Sequence, residues 1–176
     1  YIGDDWHACS SRAYWNSDVQ TSCQNANHGP ENVLPYNITV AALGATDVKS
    51  SYSTAGSAVW VSAPGGEHGN DYPAMMTTDQ SGCSTGYVHD DTSSSNSFDN
   101  ASSGNPHSLN AGCKYTATFN GTSSAAPVLS GAIALMLEAN PALTWRDVKH
   151  ILATTSDQVD ASKAALAWNI DGTTYI

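Results

Sequence analysis

A serine at the mouth of an apolar helix is where this sequence offers chemistry. Gly121-Thr122-Ser123-Ser124-Ala125-Ala126-Pro127 leads into Val128-Leu129-Ser130-Gly131-Ala132-Ile133-Ala134-Leu135-Met136-Leu137-Glu138. The first N–H groups of a helix have no partner inside it and carry a partial positive charge. They therefore stabilise the oxyanion that forms when a neighbouring hydroxyl attacks a carbonyl. Gly121 lets backbone come close to a substrate, and Ala125 and Ala126 let the helix pack deep. The plainer reading is a Ser or Thr cap on a core helix, and the local residues alone favour that reading.

Other reactive side chains form no recognisable set. His7, His28, His68, His89, His107 and His150 are scattered, five in loop-like segments and His150 on a late helix beside Lys149. The acidic run from Asp90-Asp91 to Asp99 has the oxygen ligands that calcium prefers, but its spacing is not that of an EF-hand loop, and a solvated loop is the simpler expectation. No HExxH, no CxxC, no phosphate-cradling glycine loop and no basic aromatic patch occurs, which leaves zinc, nucleotide and nucleic-acid readings without support. Six Lys and Arg against sixteen Asp and Glu give a net charge of −10. That balance disfavours nucleic acid and anionic membrane surfaces as partners and suits a cationic substrate. The longest apolar stretch, Ala132 to Leu137, is far shorter than a bilayer requires, so no membrane span is expected.

The elements that must carry Ser123 are legible on either side of it. Residues 1–32 read as irregular. Ile38 to Leu43 and Ala58 to Ala63 are short apolar runs ended by Gly44 with Asp47 and by Pro64-Gly65-Gly66. Such runs fit strands covered on both faces, as in a parallel sheet. Residues 65–119 are rich in Gly, Ser, Asn and Asp and read as one long loop, which needs a staple or a function in a compact domain. The helix after Ser123 carries small and apolar residues on nearly every face and is expected to be buried all round, with Pro127 in its first turn and Asn140-Pro141 at its end. Thr144 with Asp147 forms an Asp variant of the capping box, followed by Val148, Ile151 and Leu152 on one stripe. A strand is expected at Thr173 to Ile176, after Asp171-Gly172.

Four cysteines among many Ser, Thr, Asn and Gly suggest an exported protein with disulfides. Of three connectivities, the local pairs 9–23 and 83–113 close the shortest loops and are expected. The sequons at Asn37, Asn100 and Asn120 carry little information without the host. The chain opens without Met or a signal peptide and reads as a fragment or processed chain.

The Ser123 motif resembles the nucleophile motif of the subtilisin-like serine proteases, in which Gly-Thr-Ser is followed by two small residues and Pro. Leu137-Glu138-Ala139-Asn140-Pro141-Ala142-Leu143-Thr144-Trp145-Arg146-Asp147-Val148 is similar to the kexin and furin branch in particular. Trp60-Val61-Ser62-Ala63-Pro64-Gly65-Gly66, Tyr52-Ser53-Thr54-Ala55-Gly56-Ser57 and Tyr36-Asn37-Ile38-Thr39-Val40-Ala41-Ala42 match its upstream strands and loop. The resemblance implies that Ser123 is the nucleophile, with a His as base, an Asp orienting that His, and an Asn joining the Ser123 N–H in the oxyanion hole. None of the six histidines matches the family's His motif. The Asp, His and Asn would come from an N-terminal half of the catalytic domain. The branch further implies acids that receive a basic substrate residue and bind calcium: Asp4 or Asp5 matches one such acid as a metal ligand, while Gly29 or Asn27 stands about where another is expected, with Glu31 nearby as a substrate-binding residue. Thr54 stands where the branch has a Glu.

The expected fold is therefore α/β, a mostly parallel sheet with helices on both faces, of which residues 1–176 supply the C-terminal half, with 65–119 as a disulfide-stapled loop. The expected function is a secreted or extracellular serine endopeptidase, with the periplasm as an alternative site, cutting peptide or protein substrates after basic residues through an acyl-enzyme on Ser123. The competing reading is a non-catalytic secreted binding module or pseudoprotease. An esterase of the α/β-hydrolase type would need a Gly-x-Ser-x-Gly elbow, which is absent.

Overall fold

The computed structural model describes residues 29–54, 58–69, 72–89, 96–101 and 106–159, together with the backbone of 168–170 and 173–175. Strands β1 (Val40–Leu43) and β2 (Val61–Pro64) pair in parallel, with Ala42 opposite Ala63. Helix α1 (Thr122–Ala139) packs across both strands. The residues at this crossing are small: Ala42, Ala63 and Ala125 are buried, and with Leu129, Val148 and Leu152 they form the main core. Ala125, Leu129, Ile133 and Met136 recur at helical spacing, so one stripe of α1 meets the sheet.

That stripe corrects the expectation of a helix buried all round. Val128, Leu135 and Leu137 are exposed on α1, outside the stripe that meets the core. Thr122–Ala139 also meets the length and mean hydropathy of a membrane span, contrary to the sequence expectation. The reason is compositional: Ala, Gly and Ser interrupt any continuous apolar run yet leave the average high. Pro127 is likewise one turn deeper than expected. As the sixth helical residue it lacks the N–H that would reach the Ser123 carbonyl.

Helix α2 (Trp145–Thr155) starts where the capping box places it. The Thr144 hydroxyl accepts from Asp147 N–H, and the Asp147 carboxylate accepts from the Thr144 hydroxyl and backbone N–H, both at 2.7 Å. These bonds hold the Asp147 carboxyl below its ordinary pKa, the Thr144 hydroxyl foremost. Lys149 ties α2 to the start of the described chain. Its Nζ lies 4.2 Å from the centre of the Trp60 ring and donates to the carbonyls of Pro35 and Asn37.

Residues 65–119 are more ordered than their composition suggests. Strands β3 (Met75–Thr78) and β4 (Tyr115–Phe119) pair antiparallel, and the Cys83–Cys113 disulfide closes the segment between them as expected. The 9–23 pair lies outside the described residues. Val88, Ala101 and Cys113 make a second small core. Asp99, expected in a solvated loop, is buried: its carboxylate accepts from the Thr116 and Thr118 hydroxyls and from Ala117 N–H, which fastens the strand leading to Ser123. Strands β5 (Trp168–Ile170) and β6 (Thr173–Tyr175) pair antiparallel; β6 is the expected strand, whose last residue, Ile176, lies outside the described residues.

Asp79 organises the turn under the disulfide. Its carboxylate accepts from the N–H groups of Gln80 (2.7 Å), Tyr87 (3.0 Å) and Val88 (2.8 Å). Gly86, at φ 95°, is required here, since a Cβ on it would sit 2.8 Å from Asp79 Oδ1. Partial burial alone raises the Asp79 pKa. The bonds from Val88, Tyr87 and Gln80, with the charge of His89, outweigh it and hold the carboxyl below its ordinary value. A depressed folded-state pKa gives stability that is present above the unfolded value, near 4, and is lost as pH falls through the folded one. The amides of Tyr87 and Val88 are therefore expected to lose exchange protection below about pH 4, and Asp79→Asn is expected to remove that acid step. Protection independent of pH down to pH 2 in the wild type would contradict this.

Candidate active site at the start of helix α1

The turn that carries Ser123 is a strand-to-helix junction. Strand β4 ends at Phe119, Asn120 and Gly121 form the bend, and α1 begins at Thr122. Gly121 adopts φ 96° and ψ 171°, a conformation that side-chain-bearing residues avoid, so glycine is needed at this point. Its carbonyl accepts from Ser124 N–H (2.9 Å) and Ala125 N–H (3.3 Å), closing the first helical turn. Ser124 and Ala125 are buried, whereas Thr122 and Ser123 face outward. No side chain caps the helix, and among the described residues neither the hydroxyl nor the N–H of Ser123 has a partner. An exposed hydroxyl beside open first-turn N–H groups is an arrangement suited to attack on a carbonyl.

Three segments fix this turn from below. The Tyr52 hydroxyl accepts from Gly121 N–H at 2.8 Å and faces the carbonyls of Gly65 (2.9 Å) and Gly66 (2.6 Å). Asn120 Nδ2 donates to the Glu67 carbonyl (2.9 Å) and lies 3.4 Å from His68 Nδ1. The Glu67 carboxylate in turn accepts from the N–H and hydroxyl of Ser51. Beneath them the buried Ser50 hydroxyl donates to the Gly66 carbonyl, and the Ser53 hydroxyl accepts from Ala42 N–H. Glu67 and His68 also help line a mostly apolar cavity of about 490 Å³, with Val48, Lys49, Ser51 and Tyr72.

The chain matches the family model described as "Subtilase family" over residues 12–169. It is 46% identical over 138 residues to the extracellular serine protease of Aeromonas sobria, covering 78% of this chain and 21% of that protein. It is 35% identical over 125 residues to the calcium-dependent protease of Trichormus variabilis, covering 70% of this chain and 16% of that protein. The crystal structure of the Aeromonas sobria serine protease superposes with a TM-score of 0.70 at 45% identity, over 78% of this chain and 22% of that one. The chain belongs to the subtilase family. Its fold is the α/β subtilisin-like fold, and it spans about a fifth of the length of the Aeromonas relative.

Within that subtilase frame the expected residues fall in three groups. Ser123 stands where its motif puts it, exposed on the first turn. Glu31 lies in a short 3-10 turn, Pro30–Val33, and its backbone carbonyl accepts from Asn37 Nδ2. No contact among the described residues joins it to the Ser123 turn. Asp4 and Asp5 lie outside the described residues, as do His7 and His28. Among the described residues no three His, Cys, Asp or Glu side chains form a group that could hold a metal ion. The remaining histidines are accounted for: His68 packs edge-on against Tyr52, the charge of His89 acts on Asp79, His107 Nδ1 accepts from Leu109 N–H, and His150 is exposed on α2. Sequence reasoning missed the supports, namely Tyr52, Asn120, Glu67 and the buried serines. Their only sequence signal was the pair of matched segments around Tyr52 and Gly65.

Gly65 is the tightest point of the assembly. A Cβ there would lie 2.5 Å from Ala42 Cβ and 3.0 Å from the Gly121 carbonyl oxygen. Gly131, in α1, meets nothing within 4 Å. Gly65→Ala is expected to destabilise the protein by about 1–3 kcal/mol, through overpacking. Gly131→Ala is expected to stabilise it by about 0.5–1 kcal/mol, through helix propensity. Thermal melting of the two variants checks both signs, and an unchanged Tm for Gly65→Ala would refute the packing argument.

Proposed function

We propose that the protein is a serine endopeptidase and that residues 1–176 form the C-terminal portion of its catalytic domain. In this reading Ser123 Oγ attacks the scissile carbonyl, the leaving amine departs, and water hydrolyses the resulting acyl-enzyme. The Ser123 N–H stabilises the oxyanion together with an Asn side chain. The base His, its orienting Asp and that Asn belong to an N-terminal half. The single observation that carries the proposal is the exposed, unpartnered Ser123 on the locked first turn of α1, in a chain of the subtilase family. Val128 and Leu135 on one flank of α1 and Leu137 on the other are exposed, and they support a second half that packs against the helix.

The finer assignments rest on narrower support. Kexin-like specificity for a basic residue before the cut follows from the resemblance of residues 137–148 and 36–66, with Glu31 as the substrate-binding acid. Calcium at Asp4 and Asp5 draws on the relative named a calcium-dependent protease. Export, to the medium or periplasm, draws on the relative named extracellular and on the Cys83–Cys113 disulfide. The competing non-catalytic module holds only if no other half brings the His and Asp.

Fluorophosphonate labelling of the full-length protein separates these readings. The probe is expected to add to the peptide containing Ser123, and Ser123→Ala is expected to abolish the label. A full-length protein that takes no label, or a variant that labels at the normal rate, overturns the assignment. Melting with and without a chelator tests the metal: a fall in Tm on calcium removal is expected, and an unchanged Tm and activity would leave Asp4 and Asp5 without that role.

A further inference from the structure

We infer that the Tyr52 hydroxyl is a positioning group for Ser123, fixing the backbone hinge on which the nucleophile's turn depends. The inference rests on the acyl-transfer reading above. Three observations carry it, and none involves a residue that touches substrate.

The first is the hydrogen-bond arithmetic of a phenol. A hydroxyl has one proton to donate and two lone pairs to accept with. Here the oxygen accepts from Gly121 N–H at 2.8 Å, and the proton goes to the paired carbonyls of Gly65 and Gly66, at 2.9 and 2.6 Å. One atom thus relays between the turn that leaves β2 and the turn that enters α1.

The second is the state of Gly121. Its carbonyl is already committed to Ser124 and Ala125, and its φ of 96° lies in a region where glycine moves freely. Its N–H is the remaining handle, and among the described residues only Tyr52 holds it. Ser123 lies two residues beyond. Release of that N–H frees rotation at Gly121 and moves the Ser123 hydroxyl, without removing any group that binds peptide.

The third is the rigidity of the lever. The Tyr52 ring packs against the main core and meets His68 edge-on, with centroids 5.6 Å apart. The hydroxyl is delivered by a ring that cannot follow a displaced glycine. Phenylalanine keeps that ring packing and deletes only the relay.

The experiment is Tyr52→Phe in the full-length protein, with rates normalised to the number of sites titrated by a fluorophosphonate. The expected result is a fall of about tenfold or more in acylation rate and kcat per titrated site, with KM within about twofold, since small displacements of a reacting atom cost rate rather than binding. A purely structural role would lower Tm or the titrated fraction and leave the rate per site intact, and that outcome overturns the inference. If the variant does not fold, native-state hydrogen exchange of the wild type decides. A Gly121 amide far slower than those of Thr122 and Ser123 sustains the relay, and a Gly121 amide as fast as theirs overturns it. A wild type that never takes label overturns the hydrolase reading and this inference with it, whereas a labelled wild type matched by Tyr52→Phe overturns this inference alone.

Discussion

Everything around Ser123 depends on one close approach, that of the Gly65 backbone to Ala42 on one side and to the Gly121 carbonyl on the other. A single Cβ at residue 65 would fall 2.5 Å from the neighbouring alanine. The contact exists only because three chain segments present almost no side chain at the same place: Ala42 on β1, Gly65 after β2 and Gly121 before α1. Small residues there bring the helix down onto the strands, as the buried Ala42, Ala63 and Ala125 show. Once the segments are that close, the Tyr52 hydroxyl reaches the Gly65 and Gly121 segments and its neighbour Ser53 takes the Ala42 N–H. Packing and polar bonding are thus consequences of the same constraint.

The acidic composition also acquires a local explanation. Asp79 gathers three N–H groups beneath the disulfide, Asp99 gathers two hydroxyls and an N–H at β4, Asp147 caps α2, and Glu67 fastens the 51–52 turn. Carboxylates used this way accept from backbone that would otherwise lack partners in a loop-rich segment. Net charge alone therefore says less about a cationic substrate than it first suggests, because several of the acids serve structural turns.

What could be read from the residues followed from the range of the interaction. The capping box at Thr144 and Asp147, the stop at Asn140 and the short apolar strands are set by neighbours a few positions apart, and each stands where expected to within three residues. The position of Ser123 was legible because its motif is local too. The supports were not. Tyr52 and Gly121 are 69 positions apart, Asn120 and Glu67 are 53 apart, and no periodicity links them. The 65–119 segment misled for the same reason: its strands pair β3 with β4 across nearly forty residues of polar sequence, and its carboxylates find their donors only after folding. The one-sided burial of α1 was hidden by averaging, since a helix rich in alanine looks alike on every face until its neighbours are known.

Helix α1 carries two kinds of face, and the difference bears on how the site works. Its sheet-facing stripe is held by close packing of alanines and leucine, while Val128 and Leu135 on one flank and Leu137 on the other are open to solvent. Scattered exposed aliphatics are ordinary on protein surfaces, so these three gain meaning only with the proposed second half. Pro127 loosens the start of the helix: it withholds the N–H that would close on the Ser123 carbonyl, while the Gly121 carbonyl holds the N–H groups of Ser124 and Ala125. In the proposed reading the base is brought to Ser123 by an N-terminal half, and the Gly121 junction below the serine holds it to meet that base.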